Sequence, residues 1–195
     1  MCGINAIYAY ADGAPPVDES ELTRTRECMH SRGPDAADIW MAADRRVGLG
    51  HRRLSIIELS DAGAQPMRRG ENAIVFNGEI YNHQELRAEL EREGVTFTSH
   101  SDTEVLLRLF ERDGERMLPR LRGMFAFALW DGRSRRLFLA RDPYGIKPLY
   151  YADDGRTIRL ASQVKALIAG GQVSRQFDPA GAAGFFLRGT VPEPF

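Results

Sequence analysis

MFAFALW, the run from Met124 to Trp130, is the stretch that most constrains the fold of this 195-residue chain. Its large side chains at positions 125, 127 and 129 alternate with alanines at 126 and 128. Alternation is typical of a β-strand, whose successive side chains point to opposite faces. Because both faces are apolar, the pattern predicts a strand covered on both sides, with bulky neighbours on one side and a close-packed layer on the other.

The sequence around this strand predicts further strands and a few helices. Asp131-Gly132 predicts a turn, and Arg136–Ala140 its hairpin partner. Other strands are predicted at 2–10, 39–42, 47–49, 54–57, 73–76, 149–152 and 157–161, and helices at 19–30, at 164–169 and from 179 onward. This order predicts one α+β domain of stacked antiparallel sheets with helices outside, and it argues against a βαβ repeat.

Two helices between the strands have marked starts. Asn82 with Glu85, and Ser101 with Glu104, have the spacing of a capping box. Apolar residues then recur on one face of each helix.

Composition excludes several classes of protein. A 43% apolar content argues against disorder, and a net charge of -1 argues against a nucleic-acid partner. The longest purely apolar run is Met124–Trp130, far short of the ~20 residues that a membrane helix needs. With two cysteines and no visible secretory signal, we expect a soluble protein of the cytoplasm without a membrane partner.

Cys2 is the chemically unusual position. Removal of Met1 would leave a free N-terminal cysteine, which carries a nucleophile and a base in one residue. An ordinary small residue at a chain start is the alternative that the position alone leaves open. The four histidines lack metal-ligand spacing, so no metal site is predicted, and neither a Walker A nor a Gly-x-Gly-x-x-Gly motif occurs.

Three further positions could bind a small molecule. Asn77-Gly78 could form a type I′ turn, or it could place a side-chain amide beside a backbone N–H as in an oxyanion hole. Asp102 lies in the first turn of a helix, where free N–H groups would keep its carboxylate ionised for an ammonium group. The arginines of His51–Ser55 offer a guanidinium to a carboxylate. A merely structural role remains open for each.

Taken together, eight motifs in order resemble the glutaminase domain of asparagine synthetases, the class II glutamine amidotransferases. The motifs are CGI from Cys2, RGPD from Arg32, HRRLSI from His51, GAQPM from Gly63, FNGEIYN from Phe76, SDTE from Ser101, GMFAFA from Gly123 and RDPYGIKPLYY from Arg141. The resemblance implies a four-layer αββα sandwich, the N-terminal nucleophile hydrolase fold. It also implies a single type 2 glutamine amidotransferase domain over residues 1–195.

The resemblance also implies residue roles. Cys2 would attack the glutamine side-chain amide to form a thioester, and Asn77 and Gly78 would hold the oxyanion. Glutamine would be bound by Arg53, Leu54, Ser55, Ile56, Ile57, Asn77, Gly78, Glu79 and Asp102. The products would be glutamate and ammonia, and this domain would need no cofactor. ATP and Mg would serve only a synthetase domain or subunit that receives the ammonia and is absent from this chain. Homo-oligomerisation is left open.

Two features depart from what the resemblance implies. Gln163 stands where the family usually has Glu, which puts coupling to a partner domain in doubt. A retained Met1 would turn the base into an amide nitrogen and block the reaction. A rival interpretation, which retention of Met1 would favour, is a catalytically silent glutamine-binding or structural module of the same fold.

Overall fold

Nine strands form two antiparallel sheets in residues 1–55 and 61–191, the part of the chain that the computed structural model describes. The strands are β1 (Gly3–Ala9), β2 (Ala36–Met41), β3 (Val47–Arg53), β4 (Met67–Arg69), β5 (Asn72–Ile80), β6 (Gly123–Asp131), β7 (Arg136–Arg141), β8 (Tyr150–Asp153) and β9 (Thr157–Ala161). The first sheet has the order β2-β3-β1-β9-β8, and the second has the order β4-β5-β6-β7.

Helices cover the outer face of each sheet. The helices are α1 (Glu19–Glu27), α2 (His83–Arg92), α3 (Asp102–Asp113), α4 (Val164–Gly170) and α5 (Pro179–Arg188). α1 and α4 pack on the five-stranded sheet, and α2 and α3 pack on the four-stranded sheet, so the layers are αββα as predicted. α5 is largely exposed. Within the described ranges no helix has the length and apolar character that crossing a membrane requires.

The alternation in β6 separates two cores, as the sequence predicts. Its large side chains at 125, 127 and 129 join a cluster with residues of α2 and α3, including Leu90 and Leu106. Ala126 and Ala128 face the other sheet, in a cluster with Ile4. Phe127 is fully buried, and such burial is worth about 1.5–3 kcal/mol. The predicted hairpin is also confirmed, because β7 pairs with β6 from Asp131 opposite Arg136 onward.

The predicted division of β3 is wrong: β3 is a single strand where the sequence predicts breaks after Leu49 and before Leu54. It continues through Gly50 and His51 because it lies between β1 and β2, which pair with it along its length. All seven residues are buried by these neighbours. The second predicted strand falls at 54–57, of which residues 56 and 57 lie outside the described part.

The two predicted capping boxes have different outcomes. The Ser101 hydroxyl does cap α3 by accepting from the Thr103 N–H at 3.1 Å. Glu104 instead accepts from the backbone of Thr98 and Ser99 and fixes the preceding loop. Asn82 makes no cap bond, because its side chain binds the backbone at positions 120 and 122 across the fold.

Candidate active site

A cavity of about 120 Å³ lies at one end of the space between the two sheets. It occupies this place because the inward-facing positions of the strands change there from apolar to polar. Val47 and Leu49 of β3 lie between the sheets, so His51 and Arg53 point the same way. The cavity brings together eight residues that the sequence analysis singled out: Cys2, Arg53, Leu54, Ser55, Asn77, Gly78, Glu79 and Asp102.

Cys2 is held at the cavity by contacts far along the chain. Its Sγ lies 3.4 Å from the Leu54 N and 3.6 Å from the Leu54 O. Arg32 Nε donates to the Cys2 carbonyl at 2.9 Å. Burial lowers the pKa of the Arg32 guanidinium, although the nearby cysteine opposes that shift. The thiol is therefore fixed in position while it remains partly exposed to the cavity.

Met1 occupies part of the cavity and is 53% exposed. Its Sδ lies 3.3 Å from the Nζ of Lys147, a cavity residue that is only 5% exposed. In this form of the chain the nitrogen of Cys2 belongs to a peptide bond and cannot act as a base.

Asn77 and Gly78 lie inside β5, which continues to Ile80, so the type I′ turn is ruled out. The Asn77 side chain is 1% exposed, and its Nδ2 has no hydrogen-bond partner among the described residues. A Cβ at Gly78 would lie 2.3 Å from the Met124 carbonyl, so only glycine fits against β6. A buried N–H donor without a partner is costly in a fold, and its place at the cavity suits a ligand oxygen.

The chain after β3 is pinned by the segment that contains Gly33. A Cβ at Gly33 would lie 2.4 Å from the Arg52 carbonyl, so glycine permits the close approach. Asp35 then accepts from the Ser55 N–H at 2.8 Å and donates its own N–H to the Arg53 carbonyl at 3.0 Å. Arg53 is buried and lines the cavity. The predicted binding residues Ile56 and Ile57 lie outside the described residues.

Asp102 and Glu79 place two carboxylates at the cavity. Asp102 is buried in the first turn of α3, and its Oδ2 accepts from the Ile80 N–H at 3.0 Å. Burial raises the pKa of Asp102, and the N–H groups of Ile80 and Thr103 reduce that shift. The stabilisation by helix-start N–H groups is therefore present, but burial outweighs it. Glu79 is exposed.

Three of the cavity residues that received no role from the sequence have nitrogen-bearing side chains. His51 is 1% exposed, and burial lowers its pKa to about 3, so the imidazole is neutral. Gln65 accepts from the Phe76 N–H at 2.6 Å and donates to Thr103 Oγ1 at 3.2 Å, which ties β5 to α3 beneath the cavity. Lys147 is the third. Each residue belongs to one of the eight motifs, and membership of a motif was the sequence feature that could have marked it as a site residue.

Gln163 lies outside the cavity lining. Its Oε1 is buried without a hydrogen-bond partner in the described ranges. Across residues 1–55 and 61–191, no group of three or more histidine, cysteine, aspartate or glutamate side chains is placed to hold a metal ion.

The fold is that of the N-terminal nucleophile amidotransferases. The structure superposes with a TM-score of 0.73 on a glutamine phosphoribosylpyrophosphate amidotransferase from B. subtilis, at 23% identity. The match covers 87% of this chain and 44% of that protein. A second solved structure, described as the allosteric regulatory enzyme of purine biosynthesis, superposes with a TM-score of 0.70, also at 23% identity. It covers 87% of this chain and 43% of that one.

The sequence places the chain more narrowly. Residues 1–195 match the family model of the glutamine amidotransferase domain, and the chain belongs to that family. The resemblance drawn from the eight motifs is thereby confirmed.

Curated relatives extend the comparison. The chain is 40% identical over 197 residues to glutamine-hydrolysing asparagine synthetase 1 of Bacillus subtilis (strain 168), which covers 100% of this chain and 30% of the relative. It is 42% identical over 182 residues to a putative asparagine synthetase of Mycobacterium tuberculosis (strain ATCC 25618 / H37Rv), covering 86% and 28%. Amidase chyE of Penicillium rubens (strain ATCC 28089 / DSM 1075 / NRRL 1951 / Wisconsin 54-1255) is 38% identical over 185 residues, covering 88% and 27%. The chain thus spans about 30% of the length of these relatives.

Proposed function

We propose that this chain hydrolyses the side-chain amide of L-glutamine to glutamate and ammonia, as the glutaminase part of an asparagine-synthetase-like enzyme. One observation carries the proposal: a partly exposed cysteine thiol and an unpartnered, buried amide donor line the same cavity. A nucleophile facing a fixed donor is the arrangement that acyl transfer requires.

The reaction requires that Met1 has already been cleaved from the chain, because that cleavage frees the α-amine of Cys2. That amine takes the thiol proton, directly or through a water, and the thiolate attacks the amide carbon of glutamine. The oxygen becomes an oxyanion that accepts from Asn77 Nδ2 and the Gly78 N–H. The amine returns the proton to the leaving nitrogen, ammonia departs, and a γ-glutamyl thioester remains. Water then cleaves the thioester to glutamate and regenerates the thiol.

Substrate recognition rests on charge. Arg53 binds the α-carboxylate of glutamine, since a guanidinium can donate two parallel hydrogen bonds to it. Asp102 and Glu79 bind the α-ammonium, and the backbone from Arg53 to Ile57 completes this side of the site. Fixing both ends of the amino acid places its side-chain amide at the thiol.

The ammonia would be used elsewhere. Asparagine synthesis needs ATP and Mg to activate a carboxylate, and we propose that a synthetase domain or subunit outside these residues supplies that chemistry. We also propose that residues 1–195 form a single domain and that this domain needs no cofactor. A separate synthetase part is supported by the names of the curated relatives and by the 28–30% of their length that this chain covers.

The test uses the chain with Met1 removed, verified by intact mass. Glutamate and ammonia release from L-glutamine are measured for the parent, Cys2→Ala and Cys28→Ala. Cys28 is the matched control, because it does not line the cavity. Its Sγ lies 3.7 Å from the Lys165 carbonyl oxygen. We expect turnover by the parent and by Cys28→Ala, and none by Cys2→Ala.

Normal turnover by Cys2→Ala would contradict the proposal. Uniform retention of Met1 in the native host, together with glutamine binding but no turnover, would favour the silent module. A glutamine analogue with an electrophilic diazoketone should add one equivalent to the trimmed parent and none to Cys2→Ala.

A further inference from the structure

Lys147 is a buried ammonium with an unusual environment. It is one of two lysines among 26 basic residues, and its side chain is 5% exposed at the cavity wall. Its Nζ makes one hydrogen bond among the described residues, to the Sδ of Met1 at 3.3 Å. No ion pair to a carboxylate involves it in the described ranges, although buried lysines are normally paired.

The backbone of Lys147 is rigidly held. The buried carboxylate of Asp142 accepts from the N–H groups of Phe125, Tyr144, Ile146 and Lys147 at 2.9–3.2 Å. Burial acts to raise the pKa of Asp142, but these N–H groups outweigh it and the pKa is lowered. The carboxylate of Asp142 is therefore occupied by the loop backbone, and among the described residues Lys147 Nζ contacts the Met1 sulfur and no carboxylate.

Loss of Met1 would change this environment in two ways. It would remove the thioether that Nζ contacts, and it would create the α-amine of Cys2 at the cavity that Lys147 also lines. A methionine sulfur is a weak acceptor, so its loss costs the ammonium little. The lysine would then face the space where the new amine stands.

Other charged or titratable groups surround this end of the cavity. From the remaining elements they are Arg32, His51, Arg53, Glu79 and Asp102. His51 is neutral because burial lowers its pKa to about 3. Arg32 donates to the Cys2 carbonyl and so adds a second positive charge near Cys2. Asp102 accepts from the Ile80 N–H, and Glu79 is exposed. Neither carboxylate forms an ion pair with Lys147 in the part of the chain that the structure describes.

We propose that Lys147 is a positioning residue for the base: its ammonium keeps the released α-amine of Cys2 unprotonated at working pH. The inference rests on the proposed function. Two like charges that line one cavity disfavour each other, so the released amine gives up its proton more readily than a free α-amine, whose reference pKa is about 7.7–8.0. A neutral amine is the form that can take the thiol proton.

The test is the pH profile of kcat/KM for glutamine hydrolysis by the trimmed parent, Lys147→Gln and Lys147→Arg. Removing the charge should move the acid limb of the Lys147→Gln profile upward by roughly one pH unit. The variant would then be about tenfold slower than the parent below the limb and near-equal above it. Lys147→Arg keeps the charge and should return the limb to the parent position. In a Cys28→Ala background, the pH dependence of iodoacetamide alkylation at Cys2 should shift in the same direction.

The outcomes separate the two proposals. No turnover by the trimmed parent contradicts the proposed function, and alkylation then still reports on Lys147. The inference is overturned if the parent is active and Lys147→Gln has the same acid limb and the same alkylation profile. This holds even if the variant is slower at all pH values or binds glutamine more weakly. A loss of rate that follows only a lowered melting temperature, with the limb unmoved, also overturns it.

Discussion

Asn77→Ala provides a sharp test of the site, because the structure predicts a large loss of catalysis with little loss of stability. Nδ2 of Asn77 has no hydrogen-bond partner among the described residues and faces a cavity. Truncation therefore breaks no bond made by that nitrogen in the folded chain. It does remove one of two donors proposed to hold the oxyanion.

The expected magnitudes follow from these contacts. Loss of one oxyanion donor lowers kcat by roughly 10²–10³-fold, or about 2.7–4 kcal/mol of barrier. Asn82 is the matched control, since its side chain makes two hydrogen bonds at 3.0 Å to the backbone of residues 120 and 122, away from the cavity. At about 0.5–1.5 kcal/mol for each bond, Asn82→Ala should lose about 1–3 kcal/mol of unfolding free energy and keep its kcat.

The assay pairs steady-state glutamine hydrolysis with urea unfolding at one pH, for the trimmed parent and both variants. We expect Asn77→Ala to be slow and nearly as stable as the parent, and Asn82→Ala to be fast and less stable. An Asn77→Ala protein that keeps kcat within about threefold of the parent would refute the oxyanion assignment, given the size of the usual effect. So would a rate loss that tracks destabilisation equally in both variants.

Three other predictions concern packing and protonation. Gly78→Ala would drive a Cβ to within 2.3 Å of the Met124 carbonyl, so we expect a loss of about 1–3 kcal/mol in unfolding free energy or more, measured by urea titration. Because burial raises the pKa of Asp102, glutamine binding to Cys2→Ala should weaken on acidification at a higher pH than for an exposed aspartate. Isothermal titration would show this, and Asp102→Asn should bind weakly with no such pH dependence. His51 has a pKa of about 3 in the fold and 6.5 when unfolded, so only the unfolded chain takes up the proton between those values. Stability should therefore fall on acidification below pH 6.5, by about 2 kcal/mol at pH 5 from this group, and His51→Gln should remove that part of the slope in urea titrations.

The local patterns that predicted the fold were those whose cause is local. Alternation in β6 reports directly on the two faces of that strand, and the hairpin with β7 follows from the turn beside it. β3 was divided wrongly, because its polar residues are buried by two neighbouring strands that the local pattern cannot show. The Asn82 cap failed for the same reason: the side chain found partners about 40 residues away.

The site divides along the same line. Cys2, Arg53, Asn77 and Asp102 were singled out by position or motif, and the fold brings them to one cavity. His51, Gln65 and Lys147 were quoted in motifs but given no role. Their importance comes from burial and from partners on other elements, which a linear motif does not reveal.

The inward face of β6 has a consequence for how this protein can vary. Along it, Trp130 fills the space between the sheets at one end, Ala128 and Ala126 let the sheets close together, and Met124 reaches the cavity at the other. The residues that pack the two sheets together and the residue that lines the cavity are thus neighbours on the same face of one strand. A substitution that enlarges Ala126 would wedge the sheets apart and reshape the mouth in one step. Substitutions in this part of the core would therefore rarely change its packing without also changing which molecules the cavity admits.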